Sequence, residues 1–505
     1  MFKGLPGPPR SYLFGSLISM GKVIAKQPAQ AAPQTFVLGL KEEYRLGDFW
    51  YLDTWPAGPP MLMIMNTEMA NEITNKNFAP KHPLVGEFMK NFGGPGNLVS
   101  TDGPEWKKWR SIFNPGFSSN NLMTLVPAIV NQCKVFCDLM EQKAKRNELF
   151  RMETAATKLT IDIICKLVLD IDLDSQTKTN ELVSAFNSQV RWQSLGVQFQ
   201  PSELWDIRRP VMQAYNNWRM NRYLGKRLDE RFASRESRGK TKHVIDLALE
   251  SYLKEVKGVS GDTSHVTKLD AEFRIGAVSN MRTFVFAGHD TTSSTICYAY
   301  YYLGKNPQML ARIRKEHDDV FGTDRDAAVS RLLEDPRLMN KLEYTLAVIR
   351  EVLRIQPPAS TVRAGSPEYV ATRRLPTEGF MLWPVDVGMH RNPRYWPDPH
   401  KFKPERFLPN DTANDRDAWM PFSKGSRNCI GQELAIIETK IILLMTLRSW
   451  DFIPAYHELK ALKGDGTGYP SDESGVQTQF GEEAYQIQLG TAKPREGMPC
   501  RLKLR

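Results

Sequence analysis

The stretch PFSKGSRNCIGQELA, Pro421 to Ala435, sets one cysteine between two glycines, after Lys424 and Arg427 and just ahead of an apolar run. After Gln432 the sequence ELAIIETKIILLMTLRSW is apolar at helical spacing, so Cys429 stands at or just before a helix N-terminus. Unpaired amides and the positive end of a helix dipole favour a thiolate there. Gly425 and Gly431 lack a Cβ, which lets the chain turn sharply or a flat ligand come close. Arg427 adds a fork of donors suited to a carboxylate. Such a sulfur would make a good axial metal ligand. The same residues also read as a buried free thiol packing like a small hydrophobe.

Working outward, 505 residues with 41% hydrophobic and 25% charged content make an ordinary globular chain with ample material for a core. No Ser/Gly-rich or Pro-rich linker interrupts the middle, so residues 1–505 read as one unit and, in solution, as a monomer. The six cysteines, at 133, 137, 165, 297, 429 and 500, include no CxxC pair and no zinc-like cluster, which points to free thiols in a reducing compartment. The net charge of +10 leaves nucleic acid, an anionic surface or an acidic partner open. No dense basic run interleaved with aromatics appears, which argues against nucleic acid.

The chain starts MFKGLPGPPRSYLFGSL, and Pro6, Pro8 and Pro9 make residues 1–20 a stiff, proline-rich lead-in without the apolar run that a membrane span needs. From Tyr44, alternating aromatic and apolar residues around a Pro/Gly cluster predict strand, turn and strand. Thr67 is a plausible cap for a short helix. Residues 81–103 are rich enough in Gly and Pro to predict an irregular loop, whose Phe88, Met89, Phe92 and Leu98 suggest a lid over an apolar pocket. Trp106 and Arg110 fall four apart on one helix face, where an indole can lie over a guanidinium.

Helical patterns fill residues 122–256, with a weakly patterned, tryptophan-bearing segment from Val190 to Met220 that reads as core or access channel. The run from Lys268 to Gly304 is one long helical pattern. Its middle, Ala287-Gly288-His289-Asp290-Thr291-Thr292, is poor helix-forming material and predicts a bend or an opened groove. In that groove Gly288 would admit a ligand, and Thr291 with Asp290 would pass protons to it through water. Glu351 and Arg354 share a helix face before Pro357 and Pro358, whose extended backbone would bring Ala359 and Thr361 towards the pocket. The tail after the Cys429 helix reads as two strands with polar turns.

The cysteine segment resembles the FxxGxRxCxG signature of the cytochrome P450 family, with Phe422, Gly425, Arg427, Cys429 and Gly431 at its five fixed positions. Residues 287–292 resemble that family's [AG]Gx[DE]T[TS] oxygen motif. WxxxR at Trp106 and Arg110, ExxR at Glu351 and Arg354, and a PERF box containing Arg406 follow in family order along nearly the whole chain. The resemblance implies a mainly α fold with a smaller β region. It implies haem b held by Cys429, with Trp106, Arg110, Arg363, Arg427 and, less directly, His390 on its propionates. Ala287 and Gly288 would border the haem, and Asp290 and Thr291 would deliver protons. Glu351, Arg354 and Arg406 would form a buried frame, while His289 takes no ligand role.

The resemblance also implies reductive O2 activation and insertion of one oxygen atom into a sizeable apolar or aromatic molecule. Electrons would come from NADPH through a flavoprotein reductase docked on a basic face. The overall style is that of fungal microsomal members of secondary metabolism. Such a protein would sit at the endoplasmic reticulum membrane, facing the cytoplasm, through an anchor that this chain lacks. Phenol coupling, desaturation and rearrangement stay open as reactions, as does haem binding without turnover. The substrate and the position oxidised are not legible in the residues.

Overall fold

The structure, a computed structural model, describes all residues except 1, 29, 77–78, 194–205, 236–241, 261–265, 368–374, 411–414 and 463–477. Helices dominate, with small sheets at their margin. The first sheet holds β1 (Phe49–Leu52) and β2 (Met61–Ile64), antiparallel with Phe49 opposite Ile64, as the alternation from Tyr44 predicts. Two later strands complete it: β4 (Arg363–Ala364) and β5 (Met381–Pro384), in the order β1-β2-β5-β4. Trp50, Tyr51, Leu52 and Leu62 are fully buried, so the sheet carries a core on both faces. The helix after β2 starts at Thr67, but its cap is Asn66, whose Oδ1 accepts the N–H of Met69 at 3.0 Å.

Residues 81–103 depart from the expected irregular loop. Pro83–Gly93 forms helix α1, with Pro83 in the first turn, where its missing N–H costs nothing, and with His82 Nδ1 accepting from Leu84 N–H. Gly94, at φ 74°, ends it. Phe92 stacks on Phe286 at 4.1 Å, and buried Arg282 donates to the carbonyls of Asn91 and Phe92. These contacts tie α1 down on its inner side, while Phe88 faces outward.

Helix α2 (Gly103–Phe113), α3 (Val126–Lys145), α4 (Met152–Leu169), α5 (Glu181–Gln193) and α6 (Arg208–Ala233) follow. Part of the tryptophan-bearing segment between α5 and α6 lies outside the described residues. At the centre, α7 (Ala271–Lys305) runs 35 residues, roughly 50 Å, from a cap in which Asp270 Oδ1 accepts Phe273 N–H at 2.7 Å. It is buried nearly all round, which its apolar content from Phe273 to Leu303 requires.

Helix α8 (Glu343–Ile355) and α9 (Gln432–Thr446) pack on α7, and α9 starts where the pattern after Cys429 predicts. The tail forms a hairpin of β7 (Gln486–Leu489) and β8 (Thr491–Pro494). It also holds a strand that the expected pair omits, β9 (Pro499–Leu504), which lies between β3 (Phe150–Arg151) and β6 (Trp450–Pro454). All six cysteines are free. Among the described residues no helix is long and apolar enough to cross a membrane.

Candidate haem-thiolate site

The Cys429 loop is shaped by two backbone facts. Gly425 has φ 73°, and a Cβ there would lie 2.6 Å from the carbonyl oxygen of Thr74, so only glycine lets the loop lie against the Glu72–Lys76 turn. The N–H of Cys429 donates to the Phe422 carbonyl at 2.9 Å, which closes the loop and aims the sulfur out of it. Gly431, at φ −88°, is the cap of α9, and a Cβ there would meet only the Cys429 sulfur, at 3.9 Å. The sulfur is accessible to water, yet enough protein surrounds it that burial pushes the thiol up. The Gly431 amide and Arg110 pull the other way without winning. A coordinated cation would add its own pull towards the thiolate.

Beside the loop, basic side chains converge on a single carboxylate. Arg427 Nη1 lies 2.6 Å from Asp102 Oδ1, and its guanidinium sits 4.6 Å from the centroid of the Trp106 ring. Trp106 therefore pairs with Arg427 and not with Arg110 four residues on. Arg110 reaches across to the loop instead, donating to the carbonyl and Oδ1 of Asn428 at 2.9 and 3.0 Å. Lys81 donates its N–H to Asp102 Oδ2 and its Nζ to Thr361 Oγ1. Arg363, on β4, is 1% exposed; its Nη1 reaches the Ala79 carbonyl at 3.5 Å, while Nε and Nη2 have no hydrogen-bond partner among the described residues.

Burial, then the charges of Arg363 and Arg427, hold Lys81 far below the ordinary amine range. Burial likewise brings Arg427 down to about 10 and lowers Arg363 and Arg110. A desolvated group of cations with one carboxylate and orphaned guanidinium donors is costly unless anions complete it. The donor set fits the two carboxylates of a haem, with Cys429 as the sulfur ligand.

His390 belongs elsewhere, contrary to its expected place on a propionate. It is fully buried, its Nε2 accepts the N–H of Met420 at 3.0 Å, and its carbonyl accepts from Arg354. Arg354 holds Glu351 through two bonds of 2.7 and 2.8 Å, and Arg406 Nε lies 3.4 Å from the same carboxylate. Further donors of the two arginines go to the carbonyls of Pro399, Lys401 and Asp398. Helix α8 is thereby fastened to the 398–406 segment through wholly buried charges.

Facing α9, helix α7 is continuous through Ala287–Thr292, without the expected break. The hydroxyl side chains are accommodated by folding back: Thr291 Oγ1 donates to the Ala287 carbonyl at 2.9 Å and Thr295 Oγ1 to that of Thr291. Thr291 and Thr295 line one cleft together with Pro358, Phe422 and Ala435, so the α7 threonines and the cysteine loop share a space.

Gly288 also serves helix packing. A Cβ there would stand 2.8 Å from the Ile164 side chain, so the glycine lets α7 approach α4. Asp290 meets the tail hairpin: Oδ1 lies 2.7 Å from Lys493 Nζ and Oδ2 accepts Thr491 N–H at 2.8 Å. The hairpin thus holds the carboxylate by a hydrogen bond to Oδ2 and by the Lys493 ammonium beside Oδ1. Burial pushes its pKa up, but Lys493 chiefly outweighs that and leaves it below the ordinary value. His289 is buried edge-on to Phe186 and Phe286, with Nδ1 on the Val285 carbonyl, away from any ligand role.

Asp102, Lys81 and Asn428 beside the cysteine loop, and Lys493 with Glu153 Oε1 2.5 Å from its Nζ, escaped the sequence. Asp102 precedes Gly103-Pro104 and reads as a helix cap, although its side chain caps nothing. The others carry no local pattern at all.

A family model for cytochrome P450 matches residues 5–472. The chain is 37% identical to the cytochrome P450 monooxygenase polC of Polytolypa hystricis, over 99% of this chain and 90% of that one. It is 36% identical to the cytochrome P450 monooxygenase acrF of Aspergillus aculeatus, over 94% and 98%. Human cytochrome P450 4V2 is 28% identical over 82% of this chain and 78% of its own length.

Proposed function

The chain belongs to the cytochrome P450 family of haem monooxygenases, and from that premise we propose that it oxidises a sizeable apolar or aromatic small molecule of fungal secondary metabolism, chiefly by hydroxylation, with electrons from NADPH through a separate flavoprotein reductase. The observation that carries this reading is the shared cleft. Thr291 on α7 faces Phe422 and Ala435 of the cysteine loop and α9, and the cation group around Asp102 stands beside the loop.

Cys429 would bind the haem iron, and Arg427, Arg363, Arg110, Lys81 and Trp106 would hold its carboxylates. Bound there, haem supplies O2 reduction, with the thiolate favouring O–O cleavage. Phe422 and Ala435, which line the cleft, would border the bound haem. Thr291, partly exposed to the cleft, is the hydroxyl placed to leave the Ala287 carbonyl and pass a proton at the cleft wall. The chain with its lead-in is assigned to the endoplasmic reticulum membrane surface, which suits the exposed Tyr12, Leu13, Phe14 and Ile18.

The test is spectroscopic. The reduced, carbon-monoxide-bound protein should show the red-shifted Soret band of a thiolate-ligated haem; an ordinary Soret band in folded protein overturns the reading. Substrate class is then read from spin-state titration over a panel of polyketides, terpenoids and alkaloids. NADPH consumption with the reductase and a bound ligand separates an enzyme from a haem-binding protein without turnover.

A further inference from the structure

Helices α1, α5 and α6 are joined over α7 by side-chain amides and one buried cation. Asn91 on α1 donates to Gln193 Oε1 on α5 at 2.7 Å and accepts from Asn217 Nδ2 on α6 at 3.0 Å. Arg282 on α7 completes the layer, with Nη1 2.9 Å from Asn221 Oδ1 and Nη2 bonded to Asn217 Oδ1 and the Asn91 carbonyl. Its hydrogen-bond partners among the described residues are all neutral. Burial brings the guanidinium down to about 10, and it stays a cation.

Within this layer one amide is left unpaired. Gln189 is 0% exposed, and neither its Nε2 nor its Oε1 has a hydrogen-bond partner among the described residues. It lies one turn after Phe186 and one turn before Gln193 on the buried side of α5. Phe186 meets the His289 ring of α7 edge-on at 6.0 Å, while Gln193 is bonded to α1. Gln189 thus stands between the α7 contact and the α1 contact of its own helix. Phe286, one turn before Asp290, is in edge contact with His289 and stacks on Phe92 of α1 at 4.1 Å. On α6, Asn216 is also fully buried; its Nδ2 donates to Ser188 Oγ at 2.9 Å and its Oδ1 has no partner among the described residues.

A buried amide with no bond is costly, and an apolar side chain at Gln189 would avoid that cost if packing were its only task. The unpaired atoms are one donor and two acceptors. A ketone, ester or carboxylate brings acceptors alone and would leave both oxygens unpaired. An amine would add a second buried cation to a layer that already holds Arg282 without a counter-charge. A neutral amide with N–H and C=O on the same side, as in a lactam or a primary amide, matches the carboxamide of Gln189 through two parallel bonds.

We propose that Gln189 is a ligand-contacting residue that selects molecules carrying such an amide, Oε1 accepting the ligand N–H and Nε2 donating to its C=O, with Asn216 Oδ1 as a second acceptor. This rests on the haem-thiolate reading above and narrows its substrate class to a molecule with an apolar body and a lactam or primary amide at one end.

The test uses haem-loaded protein and two series of probes of increasing chain length: ω-(imidazol-1-yl)alkanamides, and the 1-alkylimidazoles that lack the amide. The imidazole anchors each probe on the iron, and the Soret shift gives its Kd. At the chain length that reaches α5, Gln189→Met should weaken the amide relative to its alkyl partner by about tenfold, with the alkyl probe within about twofold of the parent. The ligand-free variant should unfold at the parent's Tm or above it, since only an unpaired amide has been removed. A ratio that stays flat at every length overturns the inference. A lowered Tm with both probe series weakened together also overturns it, because that assigns Gln189 to structure. If Gln189→Met does not accumulate as folded protein, Gln189→Leu carries the same test, and failure of both to fold is the structural outcome. A parent protein whose Soret band does not respond to imidazole itself overturns the haem-thiolate reading, and the inference with it.

Discussion

Arg427 and Asp102 meet at 2.6 Å across 325 residues of chain, joining the loop that carries Cys429 to the start of α2. Arg427 is almost completely buried and Asp102 is about a third exposed. Asp102→Asn leaves the guanidinium desolvated and without its counter-charge. The expected cost is about 2 kcal/mol, below the roughly 3–5 kcal/mol of a fully buried pair, because water still reaches Asp102. Urea unfolding measures it, and haem transfer to apomyoglobin should run faster from the variant.

The two glycines around Cys429 should respond differently to alanine. At Gly425, φ 73° alone costs about 1–2 kcal/mol, and the contact with the Thr74 carbonyl adds to it. Gly431→Ala meets neither obstacle and should stay within about 1 kcal/mol of the parent. Thermal unfolding of both variants, run side by side, checks the contrast; equal losses would contradict it.

Glu351→Gln and Arg354→Ala each strand a charge that is wholly buried, and each should cost about 3–5 kcal/mol, enough to abolish haem-loaded folded protein in most preparations. Arg354→Lys should not rescue, since one ammonium cannot make both bonds to Glu351 and also reach the carbonyls of His390 and Pro399. Soluble yield and the Soret-to-protein absorbance ratio give the readout.

Stability should fall in mild acid. Burial holds both His317 and His390 down to about 3, against 6.5 when unfolded, so between these values the unfolded chain binds protons that the folded one refuses. The native state keeps its full contribution from these groups above pH 6.5 and loses about 1.4 kcal/mol per pH unit per histidine below it. Unfolding free energies measured from pH 5 to 7.5 should show this slope, and His317→Gln should remove about one proton's share of it.

Thr291→Ala removes the one hydroxyl assigned to the proton step while deleting only a bond to the Ala287 carbonyl of its own helix. Product formed per NADPH should drop about tenfold with hydrogen peroxide rising in its place, and stability should change by less than about 1 kcal/mol. Unchanged coupling would take Thr291 out of the mechanism.

The features legible in the sequence share a physical property: they are local. A helix starting after Cys429, a long buried helix around Thr291, and Glu351 one turn from Arg354 follow from periodicity and spacing within one element, where i, i+3 and i+4 neighbours are set by the helix itself. Local reading also misled. Trp106 and Arg110 are correctly placed on one face, yet Arg427 takes the indole because the cysteine loop comes down upon it. Pro83 and the glycines of residues 81–103 suggested a loop, but a proline in the first turn and a glycine just past the end are compatible with α1 between them.

The amino-acid sequence by itself determined the sulfur, its loop and the helix behind it, since Gly425, Cys429 and the apolar run after Gln432 act over a few residues. Only the tertiary structure decided the company of each charge. Lys81 with Thr361, Asp102 with Arg427, and Lys493 with Glu153 and Asp290 are separated by hundreds of residues. Contacts of this kind form where packing brings desolvated groups together, because a buried charge must take whichever partner the fold delivers.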